Sequence, residues 1–356
     1  MEDLWAITCY FNPIGYKRRL LNYLAFRREL TIPLVTVELA YSNDFDLRPD
    51  AADILIRLKG KDVLWQKERL LNLALARLPQ HCDSVAWLDC DVVFKHDDWA
   101  ERASRALERF PVLQPFQRVY EPSVDSWGRS TRLPPDAHLG YSLAHLLSLG
   151  IVTPEILQGN MRIQYRSNSG LAWVARRELL NGDGFYDACI MGSGNRAMLC
   201  GALGRPAHAI EYLQMTPIWA EHYEAWADRH SRSVRANTGC TDGAIIHLWH
   251  GDLKHRRYQE RHREFRVYEY SPATDIALDD NGCWRWNSQK PEMHAYVADY
   301  FRSRREDGDK INRRWASFAD GSPVSAFCGP SLVKAGQEKF HRASDYESVI
   351  HVLQIE

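Results

Sequence analysis

The first hundred residues alternate apolar runs with amphipathic ones. Residues 4–11 (LWAITCYF) are apolar and β-prone, and Asn12, Pro13 and Gly15 punctuate their end. In 16–30, Leu20, Leu21 and Leu24 recur at helical spacing between basic residues. Residues 32–40 (IPLVTVELA) and 52–60 (ADILIRLKG) read as two more strands, the first apolar enough to be buried on both faces. Asp62 is placed to cap a helix over 63–78, where Leu64, Leu71, Leu75 and Leu78 share one side before Pro79. A strand follows over 84–94. A helix capped by Asp97 or Asp98 runs over 99–110 to Pro111, and 112–120 (VLQPFQRVY) reads as a fifth strand. Strands joined by helices predict an α/β fold: a Rossmann-like, mostly parallel sheet flanked by helices.

The pattern blurs over 121–165, which is polar and turn-rich, with a short helix expected near 142–149. Such a stretch suits an insertion or a loop over a site. Order resumes over 170–180 (GLAWVARRELL). A Gly-rich turn then feeds a short helix in 185–203, and 241–251 (TDGAIIHLWHG) is a late apolar strand carrying His247 and His250. Residues 253–266 form a basic helical segment, and periodicity fades beyond 268.

The run VAWLDCDVVF breaks a local rule. Asp89 and Asp91 sit inside β-forming sequence that disfavours aspartate, and a buried carboxylate is costly without a cation or strong donor. Two other D-x-D spacings, Asp44/Asp46 and Asp307/Asp309, lie in polar surroundings and read as solvated loop carboxylates. In open parallel sheets ligands bind beyond the carboxyl ends of the strands. That rule puts the end of the first strand, Glu38 and the Asp89/Asp91 pair on one rim. On a regular strand the two carboxylates point the same way and can share a hard divalent cation.

Composition narrows the partners. Lys plus Arg is 45 and Asp plus Glu is 46, so no global field draws the chain to DNA or anionic membrane. No run of 18 apolar residues suggests a membrane span. The eight cysteines form no C-x-x-C pair, and no leader-like segment precedes the first strand. The expectation is a cytoplasmic protein with reduced thiols.

The segment around Asp89 and Asp91 resembles the GT-A class of nucleotide-sugar glycosyltransferases, whose D-x-D follows the fourth strand of a nucleotide-binding sheet. WQKERLLNLALARLP before VAWLDCDVVF is similar to the helix and D-x-D block of that class. SGLAWVARRELL and GFYDACIMGSGNRAM are similar to its acceptor-side block, and IIHLWHG to its late strand with a metal-binding histidine. TCYFNPIGYKRRLLNY resembles the opening of a phage and bacterial group within it. The resemblance covers roughly residues 4–265. It implies a GT-A-like catalytic domain over 1–267, with a nucleotide-binding half (1–115), an acceptor half carrying the metal-histidine strand (116–267), and a C-terminal extension (268–356).

The resemblance also implies site roles. Asp91 ligates the metal, and Asp89 contacts ribose or metal-bound water. His247 and His250 face opposite ways on a regular strand. His250, beside Gly251, is the expected ligand and His247 the alternative. Histidine suits Mn²⁺ better than Mg²⁺. Thr8, Tyr10 and Asn12 are placed to meet the nucleotide base, and Glu38 the base or ribose. Lys67 and Asn72 line the nucleotide pocket, and Lys254 reaches the diphosphate. The donor is expected to be a UDP-sugar.

One position departs from the class. Relatives place an acidic general base after the Gly-rich turn, where this chain has Asn195, which cannot take a proton at neutral pH. Either Asp187 serves, or the reaction retains configuration, or catalysis is impaired. The acceptor is a glycan or, as the phage-type resemblance suggests, a hydroxymethylated base in DNA. The six Lys/Arg against two Glu in 254–266 favour DNA and the neutral net charge does not. A non-catalytic nucleotide-binding module is the further alternative.

Overall fold

A computed structural model of the chain describes residues 3–123, 137–156 and 166–308. Residues 124–136 and 157–165 of the turn-rich stretch, and the part of the expected extension beyond 308, lie outside the described residues.

Seven strands form the main sheet: β1 (Leu4–Phe11), β2 (Leu34–Ala40), β3 (Ile54–Lys59), β4 (Ser84–Leu88), β6 (Val112–Gln114), β10 (Ala172–Arg176) and β11 (Thr238–Cys240), in the order β11-β6-β10-β4-β1-β2-β3. Only β10 runs antiparallel to its neighbours. This is the expected α/β, mostly parallel sheet. β2 is buried along its whole length, Thr36 and Glu38 included, in keeping with its near-continuous apolar run. Helices α1 (Lys17–Glu29) and α3 (Trp99–Ala106) pack on one face through Tyr23, Phe26, Trp99 and Ala103. Helix α2 (Lys67–Leu75) packs on the other through Leu70, Leu71 and Ala74.

A second sheet joins β5 (Val92–Phe94), β7 (Arg118–Glu121), β8 (His138–Ser142), β9 (Ser167–Asn168) and β12 (Ala244–His247) in the order β5-β12-β7-β8-β9. Two expected single strands are therefore split between sheets. The 112–120 run divides near Pro115, which lacks a ladder donor. The 84–94 run divides at Asp89–Asp91, so the aspartates sit at the junction of the two sheets.

Three more differences follow from distant partners. Helix α2 starts at Lys67 because Gln66 pairs with the backbone of Trp284 at 2.8 and 2.9 Å. Asp62 accepts from Trp286 N–H at 2.9 Å instead of capping that helix. Asp307 is no solvated loop carboxylate: it caps α1, accepting from Lys17 and Arg18 N–H at 3.2 and 2.8 Å.

Helix α4 (Leu143–Ser148) matches the short helix expected near 142–149, with Ser142 as its cap. Beyond β10, α5 (Gly194–Ala202), α6 (Pro206–Leu213) and α7 (Pro217–Val234) pack together, and α8 (Glu260–Phe265) follows β12. Residues 268–308 add α9 (Pro272–Asp275), the hairpin β13 (Ile276–Leu278) and β14 (Trp284–Trp286), and α10 (Pro291–Ser303). Phe301 of α10 packs on Phe11 and Trp65 with ring centroids 6.1 and 6.0 Å away. Among the described residues no helix is long and apolar enough to cross a membrane.

Candidate functional site

β4 ends at Leu88, and Asp89, Cys90 and Asp91 form the turn into β5. Asp89 N–H donates to Leu171 O at 2.8 Å, and Val92 N–H returns to Asp89 O at 3.3 Å. The pair is thus not on a regular strand, and its carboxylates take different partners. Asp89 accepts from Lys67 Nζ, which also donates to Asn195 Oδ1 at 3.3 Å. Burial works against the Lys67 charge, and Asp89 beside it overrides that and raises its pKa. Asp91 faces the histidines: its Oδ1 lies 3.7 Å from His247 Nε2 and its Oδ2 lies 3.6 Å from His250 Nε2.

The expectation that His247 and His250 face opposite ways assumes an unbroken strand. β12 stops at His247, and Leu248 N–H binds Asp91 O at 2.8 Å. The chain turns there, and both rings reach one carboxylate, their centroids 4.8 Å apart. Gly251 makes the turn possible. Its φ is +96°, and a Cβ would lie 2.7 Å from Arg304 O, so a side chain has neither the conformation nor the space.

Ligand atoms of Asp91, His247 and His250 all lie within 4.8 Å of one another. Each outer ring nitrogen has a partner: His247 Nδ1 is 2.9 Å from Glu121 Oε1, and His250 Nδ1 is 2.9 Å from Leu248 O. With the ring proton on Nδ1, each Nε2 keeps its lone pair toward Asp91. Asp91 Oδ1 is buried without a hydrogen bond. Burial raises the Asp91 pKa and, with Arg256 and His247, pushes His250 well below the usual histidine range. The orphaned oxygen and the two imidazole nitrogens that face it fit a divalent cation of the Mn²⁺ or Mg²⁺ kind.

These residues line a cavity of about 240 Å³ that also takes in Thr8, Lys67, Asp89 and Asn195. Six cationic and four carboxylic side chains line it. Glu306, fully buried, gathers three of the cations: Arg19 at 2.6 Å, Arg304 at 2.5 Å and Arg256 at 3.3 Å. Burial opposes its charge, but Arg19 and Arg256 hold its carboxyl below the usual range. Arg256 also donates to His250 O, so the acid from the C-terminal segment steadies the histidine turn.

Glu68 is a cavity carboxylate that sequence reasoning missed. It is 3% exposed and lies against Gly194, where a Cβ would collide with its carboxyl group. Among the described residues it makes no ion pair. Burial, offset in part by Lys67, pushes it up to about 7. Its sequence signal was slight: a glutamate on a helix reads as solvated. Glu121 and Glu306 were also missed, since their partners lie 126 and 287 residues away.

The other predicted residues are placed as follows. Thr8 lines the cavity and donates to Leu88 O at 2.7 Å. Tyr10 and Asn12 form a separate network with Asp46, whose carboxylate is 2.8 Å from the Tyr10 hydroxyl; this loop carboxylate too is engaged. Glu38 is buried and accepts from the N–H groups of Asp46 and Leu47 at 2.6 and 3.0 Å. Asn72 and Arg69 hold Asp187 at 3.0 and 3.2 Å. None of Tyr10, Asn12, Glu38, Asn72 and Asp187 lines the cavity. Lys254 is exposed beside Asp252. The basic stretch 254–266 is not one surface, because Arg256 and Arg261 are buried and line the cavity.

No family model matches the sequence, and no curated protein matches it. Similar solved structures include S. aureus TarS in complex with UDP-GlcNAc: 13% identity, 88% of this chain and 73% of that one, TM-score 0.40. Another is the mannosyltransferase PcManGT from Pyrobaculum calidifontis in complex with GDP-Man and Mn²⁺: 14% identity, 91% and 77% covered, TM-score 0.37. A third is glucosyl-3-phosphoglycerate synthase from Mycobacterium tuberculosis in complex with Mn²⁺, UDP and phosphoglyceric acid: 14% identity, 77% and 81% covered, TM-score 0.35.

Proposed function

We propose that the chain is a metal-dependent glycosyltransferase moving a sugar from a nucleoside diphosphate sugar, a UDP-sugar first, to an acceptor hydroxyl. The observation that carries this reading is the convergence of Asp91, His247 and His250 at the carboxyl end of β4, in a cavity walled by arginines. Carboxylate and imidazole together favour Mn²⁺. The described cysteines are all free thiols, in keeping with a reducing, cytoplasmic setting. The catalytic domain would span 1–267, with residues beyond 268 supporting it through Glu306.

Asp91, His247 and His250 would hold the cation, which when bound supplies positive charge against a departing diphosphate. Lys67 holds Asp89 and Asn195 in place. Asn195 cannot take a proton, and Asp187 is held by Arg69 and Asn72 outside the cavity. Among the described residues Glu68 is the cavity carboxylate without an ion pair, and it would take the proton from the acceptor hydroxyl. A saccharide or other glycoconjugate is preferred over DNA as acceptor, since part of the basic stretch is turned inward.

The test is thermal melting with UDP, GDP, CDP, ADP and TDP, each with Mn²⁺, Mg²⁺ or EDTA. One nucleotide at 100 times its dissociation constant should add about 2.7 kcal/mol, and only with metal. If no nucleotide shifts the melt under any condition, the reading fails.

A further inference from the structure

We propose that the donor sugar carries an acetamido group, whose methyl fills an apolar chamber beside the cavity and whose carbonyl oxygen accepts from the Asn195 side-chain amide. This rests on the glycosyltransferase reading and names the class of sugar that the same site takes.

Asn195 stands in the first turn of α5, half-buried in the cavity wall. Its Oδ1 accepts from Lys67 Nζ at 3.3 Å. An ammonium donates and never accepts, so this contact fixes the amide with its oxygen toward Lys67 and its NH₂ turned away. The NH₂ lies over Gly170, where a Cβ would come within 2.3 Å of Nδ2. A side chain at 170 would displace the amide, and glycine leaves it room. Among the described residues Nδ2 donates to no group. The amide therefore holds unspent donors at the wall of the donor cavity.

A second chamber, of about 20 Å³, adjoins the cavity and shares Asn195 and Leu199 with it. It lies between the main sheet and α5. Trp87 of β4 and Trp173 of β10 are cross-strand partners with rings 6.3 Å apart and parallel within 10°, and Met198 and Ala202 line the chamber from α5. Ten of its twelve lining residues are apolar, the exceptions being Asn195 and His230. The His230 ring lies on Trp226 with centroids 4.5 Å apart, and burial pushes it down to about 4, so it brings no charge.

That volume takes one small group. A methyl gains by leaving water for apolar walls, whereas a hydroxyl loses its hydrogen bonds there. An acetamido group joins both requirements. Its methyl and its carbonyl oxygen sit on one carbon, just as the chamber and the Asn195 amide sit side by side. A hydroxyl at the same sugar carbon can accept from the amide but leaves the chamber empty.

Calorimetry on the full chain with Mn²⁺ compares UDP-glucose with UDP-N-acetylglucosamine, UDP-galactose with UDP-N-acetylgalactosamine, and UDP alone as control. If another nucleoside diphosphate stabilises the chain and UDP does not, the pairs are made on that base. At least one acetamido sugar should bind about tenfold or more tighter than its hydroxyl counterpart. Ala202→Val, which narrows the chamber, should cut that preference to about threefold or less and leave UDP affinity within about threefold. Asn195→Ala, which removes the donor, should also cut the preference, read as the ratio within the variant, and it serves if Ala202→Val does not fold. Equal affinity within both pairs overturns the proposal, while binding of UDP leaves the donor reading standing. A preference that survives in each variant that folds overturns it as well. Free N-acetylglucosamine should bind no better than glucose to the chain saturated with Mn²⁺ and UDP. If it binds tenfold better and Ala202→Val abolishes this, the chamber serves the acceptor and the proposal falls. If no nucleoside diphosphate binds, the donor reading has failed, and this inference falls with it.

Discussion

His247 and Glu121 are joined by a 2.9 Å contact between Nδ1 and Oε1, and that contact turns the other ring nitrogen toward Asp91. A carboxylate behind a ligating imidazole fixes its tautomer and raises its basicity. Glu121→Ala should weaken Mn²⁺-dependent nucleotide binding by about 10–100-fold. Glu121→Gln, which keeps an acceptor oxygen, should fall between the two. Calorimetry with Mn²⁺ and the nucleotide reads this directly. Unchanged affinity in Glu121→Ala would show that the pair does not position a ligand.

Asp91→Asn should separate stability from binding. Burial raises the Asp91 carboxyl in the folded chain, so its ionisation costs stability as pH rises through and above the ordinary carboxylate range. One of its oxygens also lacks a hydrogen bond. The metal-free Asn variant should melt higher than the parent at pH 7, at about 2–4 °C for each kcal/mol relieved. The Mn²⁺-dependent nucleotide shift should vanish. A variant that melts lower without metal would mean that the carboxylate is satisfied by the fold itself.

The sequence made some of this legible and hid the rest, for physical reasons. β1, β2 and β4 are near-continuous apolar runs, which suit a sheet covered on both faces. Asp89 and Asp91 stood out because they break β-propensity where burial is expected. The histidines were visible one at a time. Their convergence was not, because period-two reasoning fails where β12 ends at His247. The breaks near Pro115 and at Asp89–Asp91 were likewise hidden, since local pattern does not say which sheet a short run joins. Glu68, Glu121 and Glu306 had slight sequence signals at best, because their meaning comes from distant groups: Gly194, His247 and the arginines.

Glu68 should set a pH limb. Its carboxyl is pushed up to about 7, so below that pH it is protonated and cannot accept the acceptor's proton. Turnover of the donor sugar should rise with pH through that value. Glu68→Gln should flatten the limb and lower turnover by about 10²–10⁴-fold, while metal-dependent nucleotide binding persists. A steady-state pH profile of parent and variant checks this. If Glu68→Gln keeps both turnover and limb, the proton goes elsewhere.

Glu306 should matter to both fold and site. Removing its charge leaves Arg19, Arg256 and Arg304 facing one another in a buried setting. Glu306→Gln should cost about 3–5 kcal/mol at pH 7, measured by urea unfolding. The sign with pH is fixed by the direction of the shift. Arg19 and Arg256 hold the folded carboxyl below its ordinary value, so its stabilisation is present above the unfolded pKa and fades as pH falls through the lower folded one. The parent should therefore lose stability on acidification, and Glu306→Gln should lose less over the same window. Arg256 carries the effect to the site through its bond to His250 O. Mn²⁺-dependent nucleotide affinity should fall in the variant even at temperatures where it is fully folded. Parallel acid slopes in parent and variant would show that the arginines do not depend on this carboxylate.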